Sequence, residues 1–397
     1  MDRVKMNKIL LLIVFVIVAI PSSMAQKKEV QEIINHIEAR FAPDKRTVIY
    51  DVKVSERKDT LVLKGETSSL EAHERILSEV KKHSLALKDS IRVLPDNVVG
   101  EKNYGVIYNS VEKVHARNGY GSEIVSEVLL GMPVRILDKK GGWRRIQTPE
   151  GYIGWISGAV ETMTESQLRQ YNQKPKIIIT NLFTSSYTEP NTKTQRVSDL
   201  TIGNQLALKG TKGKFYIASY PDGREAFVPK TDAKKVEDWE RSIVLSGESI
   251  VETAKQFAGI PYVWGGTSSK GLDCSGFTKT VYLLHGLILQ RDASQQVNSG
   301  KLVDEKADFS KMQLGDLMFF GSKATEENPR ERVVHVGIYI GNKRFIHASD
   351  YIQIGSFDPT DEFYDEYNAN RYLRTKRIIG EVNTPGTEEI RKNTLYQ

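Results

Sequence analysis

Cysteine is nearly missing from this 397-residue chain. The one present, Cys274, can form neither an intramolecular disulfide nor a multi-cysteine zinc site. No HExxH zinc motif and no glycine-rich phosphate loop occurs, so the chain shows neither the common metalloprotease signature nor the nucleotide-binding one. No charge sign dominates: 56 basic and 50 acidic side chains leave +6, too even a balance for a nucleic-acid footprint. Long apolar runs are absent apart from residues 9–20. What remains, 39% hydrophobic and 27% charged, is ordinary for packed globular protein. At roughly 150 residues per domain the length implies two or three folded units.

Arg3, Lys5 and Lys8 precede the apolar run, and Pro21 with Ser23-Met24-Ala25 follows it. This order of charge, apolar stretch and small residues predicts a secretory signal peptide over 1–25. Twelve apolar residues fall short of the ~20 that span a bilayer, so no membrane anchor is expected after cleavage. The mature chain carries +4, a surface only mildly suited to an anionic partner such as a cell wall. Export also changes the meaning of the lone thiol. Exported proteins usually pair their cysteines, so one kept single outside the cytoplasm is a candidate reactive group.

Beyond the leader, residues 26–97 predict helix, two strands, helix and strand. Val30, Ile33, Ile34, Ile37 and Phe41 mark one helical face and Pro43 ends it. This αββαβ order resembles a BON-type module, and no catalytic cluster falls in it. Residues 98–163 and 175–238 repeat one another without a gap. Val125-Ser126-Glu127-Val128 recurs as Val197-Ser198-Asp199-Leu200, Trp143 as Phe215, Gly151 as Gly223 and Trp155 as Phe227. Short strands between glycine turns predict two small barrels, with the tryptophans as core rather than ligand stackers. The tail, 383–397, lacks periodicity and is expected to be mobile.

The chemistry gathers between residues 245 and 382. Phe277 to Leu289 has helical spacing, which places Cys274 where a helix begins, and the free amides there are expected to favour thiolate over thiol. A cysteine nucleophile needs an imidazole to carry its proton. His285 lies on the same helix, ~16 Å along the axis, too far to serve. His36, His73, His83 and His115 fall in stretches without a nucleophile. His335 and His347 stand on two strands around Gly341-Asn342, a strong hairpin signal. A three-residue loop, Gly341–Lys343, pairs His347 with Gly337 and puts both imidazoles on one face, whereas a two-residue loop puts them on opposite faces. With the odd loop, His335 is the base and His347 orients it.

Tyr262 to Phe277 with its Asp273-Cys274-Ser275-Gly276 core, Leu314 to Phe320, His335 to Tyr339 and Phe345 to Ala348 together resemble the NlpC/P60 family of papain-like cysteine peptidases. The likeness covers roughly 247–380. It implies an α+β fold class, with a papain-like catalytic domain behind two SH3-type barrels and the small α/β module. Two barrels ahead of such a domain resemble the subgroup acting on peptidoglycan fragments whose L-alanine amine is free. Carried over by position, Cys274 is the nucleophile, His335 the base and His347 its orienter. Tyr262 and the Cys274 amide would meet the oxyanion. Asp273, Ser275 and Asp292 would line the substrate side, with Asp273 and Asp292 facing an ammonium. Glu123 and Tyr152 of the first barrel would join them. Where the subgroup often has a hydroxyl after that aspartate, this chain has Ala293, with Ser294 next.

The implied function is a secreted γ-D-glutamyl-diamino acid endopeptidase working on stem peptides or muropeptides in the periplasm or cell envelope, without metal or cofactor. An amidase or acyltransferase on the same scaffold, or a non-catalytic wall-binding protein, are the alternatives. The charged stretch Lys323 to Arg332 reads as a loop insertion near the cleft rim.

Overall fold

The computed structural model describes residues 23–57, 60–82 and 87–397, and the expected signal peptide lies outside them apart from its last three residues, which open a helix. Among the described residues no helix is long and apolar enough to cross a membrane. Among the described residues two compact units form: one from residues 23–43 with 50–92, the other of Asp44–Ile49 with Val93–Gln397.

In the first unit, helix Ser23–Phe41 is followed by strands Tyr50–Arg57 and Thr60–Thr67, helix Leu70–Lys82 and strand Leu87–Val93. The strands pair in sequence order. Val30, Ile34 and Ile37 of the first helix and Ala72, Ile76 and Val80 of the second are buried, each set at the three- and four-residue spacing of one helical face.

The second unit begins with seven strands, from Tyr104–Ile107 to Val160–Met163, hydrogen-bonded in the order seventh, first, fourth, fifth, sixth, second, third. The next seven, from Lys176–Ile179 to Ala233–Lys235, pair in the same order. The repeat seen in the residues is therefore a repeat of topology, because matching apolar positions close matching cores. Val128, Ile136, Ile146 and Ile156 fill the first, and Leu200, Leu206, Ala218 and Val228 the second. Trp155 is buried, whereas Trp143 is only half-buried, edge-on to His115 and Tyr120.

The remainder packs helix Cys274–Leu283 and helix Gly247–Gln256 against a six-stranded antiparallel sheet. Its strand order is Lys301–Asp304, Tyr372–Arg377, Leu317–Ser322, Arg332–Gly341, Arg344–Ala348, Ile352–Ser356. The tail departs from expectation. Thr387–Glu389 pairs as a strand with Leu287–Leu289, Ile390 and Asn393 are buried, and the Asn393 amide donates to the Pro149 carbonyl at 2.9 Å. Three residues are too few to show a period, so pairing with a distant strand was invisible locally.

Polar contacts bind both seven-stranded sheets to this sheet-and-helix layer. The Thr267 amide donates to Glu127 at 2.9 Å, Lys279 meets Glu150 at 3.0 Å with both side chains buried, and Lys270 meets Asp199 at 2.6 Å.

Candidate active site

Asp273 is the N-cap of helix Cys274–Leu283, its carboxylate accepting from the Gly276 amide at 2.7 Å, so the nucleophile candidate is the first helical residue. Gly276 is required here: a Cβ would stand 2.0 Å from the Gly266 carbonyl oxygen. Cys274 and Val336 are buried in one core cluster, which brings the nucleophile helix against the strand that carries His335.

The hairpin register is the one expected, by a different route. His347 pairs with Gly337, but the turn is the two-residue type, Asn342 and Lys343 both lying at positive φ, and a bulge at Ile340 supplies the extra residue. Parity is restored by the bulge rather than by the loop, and the two imidazoles share a face. His335 Nε2 lies 2.8 Å from His347 Nδ1. Phe320 packs on the His335 ring and Phe345 on the His347 ring, fixing both rotamers. Behind them His347 Nε2 is 3.7 Å from an Asp365 carboxylate oxygen.

Burial governs the charge states. It pushes the Cys274 thiol up to about 12, the Asp273 charge adding to it, against the Val336 amide, Arg291 and the Ser275 amide. The expectation of a preformed thiolate at the helix start is therefore corrected: loss of solvation outweighs the helix-end amides. Burial likewise drives His335 well below the ordinary imidazole value, the neighbouring His347 acting the same way. It brings His347 down to about 4 although Asp365 opposes it. At rest the site holds a neutral thiol and neutral imidazoles. Tyr262 has its phenol held protonated by burial and by the nearby Cys274 and Asp273, so its hydroxyl is available as a donor.

An open cleft of about 380 Å³ leads to the sulfur, with Glu123, Tyr152, Tyr262, Cys274, Asp292 and Ser294 among its walls. The first barrel and the catalytic layer thus build one cleft. Glu123 accepts from the Trp264 indole at 2.9 Å, and Tyr152 approaches Asp292 at 3.4 Å. Gly265 lets the barrel come this close. It sits at φ +81°, and a Cβ there would be 2.5 Å from the Ile124 carbonyl oxygen.

Asp273 does not stand free for an ammonium. Its oxygens accept from Gly276, from the Gly265 amide at 3.0 Å and from the fully buried Arg291 guanidinium at 3.1 Å through Nη1, with Nη2 as a further donor. Ser275 is tied into the same cluster, accepting from Arg291 at 3.0 Å. That expectation for Asp273 is replaced by a positioning role, because every acceptor direction is occupied. Of the other histidines in this unit, His285 binds the Val281 carbonyl and His115 the Ser122 carbonyl. Three residues here carried no usable sequence signal: Asp365, remote from both imidazoles along the chain; Arg291, 18 positions from Asp273; and Arg46, 246 positions from Asp292, to which it donates at 2.8 Å.

A model of the NlpC/P60 family matches residues 259–377, and one of the bacterial dipeptidyl-peptidase Sh3 domain matches 114–159. Over 263 residues the chain is 32% identical to a gamma-D-glutamyl-L-lysine dipeptidyl-peptidase of Bacillus cereus, covering 64% of this chain and 76% of that one. The chain belongs to the NlpC/P60 family. A second gamma-D-glutamyl-L-lysine dipeptidyl-peptidase, from Bacillus subtilis, is 30% identical over 57% of this chain and 72% of its own. Among solved structures an NlpC/P60 family protein from Bacillus cereus shares the fold, with TM-score 0.58 at 23% identity over 69% of this chain and 99% of that one. As an NlpC/P60 member the protein is a cysteine peptidase, with an SH3-type barrel ahead of its catalytic domain.

Proposed function

We propose that this peptidase hydrolyses the γ-D-glutamyl bond to a diamino acid in peptidoglycan stem peptides, acts outside the cytoplasm after loss of residues 1–25, and prefers fragments with a free N-terminal L-alanine. The observation that carries the reading is the shared cleft, in which the Cys274 sulfur lies with two carboxylates, Glu123 and Asp292, and the Tyr152 hydroxyl on its walls. An acyl group seated on the sulfur would direct its amino end toward that acidic wall, where an ammonium is matched by charge. Peptidoglycan as substrate agrees with the two relatives named as dipeptidyl-peptidases. The second set of seven strands is read as a further SH3-type barrel on the strength of its identical strand order.

The tautomers follow from the nearby carboxylate and the one hydrogen bond between the rings. Asp365 favours a proton on His347 Nε2, which leaves His347 Nδ1 to accept from His335 Nε2–H. His335 Nδ1 is then left with the free lone pair. It takes the thiol proton as sulfur attacks the γ-carbonyl carbon. The oxyanion receives hydrogen bonds from the Tyr262 hydroxyl and the Cys274 amide. His335 returns the proton to the departing diamino acid nitrogen as the C–N bond breaks, leaving a thioester. Water, deprotonated by the same imidazole, hydrolyses it and restores the thiol.

The test is digestion of L-Ala-γ-D-Glu-diaminopimelate and of its N-acetylated form, with products read by mass. Release of L-Ala-D-Glu from the free-amine compound alone is expected. Equal rates would remove Glu123, Tyr152 and Asp292 from recognition, and cleavage at another bond would remove the γ-glutamyl assignment. Cys274→Ala is expected to abolish turnover with an unchanged circular dichroism spectrum.

A further inference from the structure

The cleft is not empty of cations. Arg46 comes from the short segment Asp44–Ile49, which belongs to the same compact unit as the site. Its guanidinium is divided. Nε and Nη2 donate to the two oxygens of Asp44 at 2.8 and 2.7 Å, while Nη1 donates to Asp292 Oδ2 and to Ser294 Oγ, each at 2.8 Å. Asp292 and Ser294 are cleft-wall residues. Asp292 Oδ2 is also the oxygen that Tyr152 approaches. One arm of an arginine thus stands where the proposed function puts the substrate's ammonium, with the charge and the donor geometry of that ammonium.

The segment holding it is fixed. The Arg46 carbonyl accepts from the Ile153 amide at 2.8 Å, the Thr47 carbonyl from Gln147 at 3.0 Å, and Asp44 accepts from Gln295 at 2.7 Å. Ile49 is buried with Leu94 and Leu137. The backbone therefore stays in place, and only the guanidinium can move. Because Asp44 already grips two of its nitrogens, release of Nη1 from Asp292 leaves the arginine bound and breaks two contacts only. Both partners are part-exposed, 36% for the Arg46 side chain and 28% for that of Asp292, so the exchange takes place in solvent-screened surroundings.

We propose that Arg46 is a built-in competitor for the amine subsite: it fills Asp292 in the unliganded enzyme, and a substrate with a free N-terminus binds by displacing it onto Asp44. Arg46 therefore sets how strongly the enzyme holds free-amine fragments. It lowers their affinity, which favours release of the dipeptide product bearing the same amine, and it leaves amine-blocked fragments unaffected.

The inference rests on the free-amine reading, and the experiment separates the two. In the full-length Cys274→Ala protein, dissociation constants of L-Ala-γ-D-Glu-diaminopimelate and its N-acetyl form are measured by calorimetry with Arg46 present and with Arg46→Ala, melting temperatures confirming the fold. A part-exposed pair is worth up to about fivefold in an equilibrium constant. Removal of Arg46 is accordingly expected to tighten the free-amine peptide about three- to fivefold and to leave the acetylated one unchanged. Unchanged or weaker binding of the free-amine peptide, with its preference over the acetylated form kept, overturns the competitor role alone. Equal binding of the two peptides in both proteins overturns the free-amine reading and the competitor with it. Arg46→Gln, which keeps length without charge, is expected to reproduce the alanine result, and a wild-type affinity there also counts against the proposal.

Discussion

At the residue scale the site is governed by how little water reaches it. With the thiol pushed up to about 12, only a trace of thiolate exists at neutral pH, and the proton must move during attack. Alkylation of Cys274 by iodoacetamide without substrate is therefore expected to be slow at pH 7 and to climb roughly tenfold per unit through pH 10. A plateau reached near neutrality would mean a preformed ion pair instead. The imidazoles have a stability consequence of definite sign. Each has a folded pKa below the ordinary 6.5, to about 4 for His347, so the unfolded chain takes up protons first as pH falls. Stability from keeping them neutral is complete above pH 6.5 and is lost as pH drops toward 4. Melting temperature should fall across that window, and His347→Gln should flatten the fall. Asp365 reaches the reaction through His347, while its oxygens also accept from the Asn368 backbone and side-chain amides. Asp365→Asn is expected to lower kcat roughly tenfold, about 1.4 kcal/mol of activation barrier, with KM little changed. A KM effect without a kcat effect would assign it to binding.

At the scale of elements, two joints decide whether the cleft exists. The first is the turn Tyr262 to Gly266, where Gly265 admits the Ile124 carbonyl. Gly265→Ala combines a positive φ with a backbone clash that no rotamer relieves, and is expected to raise KM by moving the barrel away from the sulfur. The second is the Lys279–Glu150 pair, closed at 3.0 Å between the nucleophile helix and the first barrel. Lys279→Met strands a buried carboxylate and should cost about 3–5 kcal/mol by denaturant unfolding, most of it recovered when Glu150→Gln is added. A small loss in the single variant would show that water reaches the carboxylate. The hairpin teaches the same lesson about legibility. Gly341-Asn342 announced a turn, and the shared face of His335 and His347 was readable as a condition on parity. That the condition is met by a bulge at Ile340 was not readable, since a bulge is set by how two strands settle on a core and leaves no local mark.

At the scale of the whole molecule, both seven-stranded sheets and the catalytic layer share polar joints and form one compact unit. They are expected to unfold in a single calorimetric transition, and a separate barrel transition would show that the cleft can open by domain parting. The residues alone were enough for the repeat, the nucleophile at a helix start and the histidine hairpin, because each follows from a short-range rule: apolar period, capping chemistry, turn preference. Tertiary structure alone decided the rest. It made the thiol neutral, turned Asp273 from a substrate contact into the anchor of Arg291, brought in Asp365 behind His347, ordered the final strand and set Arg46 against Asp292. Each of these depends on burial or on partners far apart along the chain, and desolvation and long-range pairing are properties of a packed interior that no local window of residues contains.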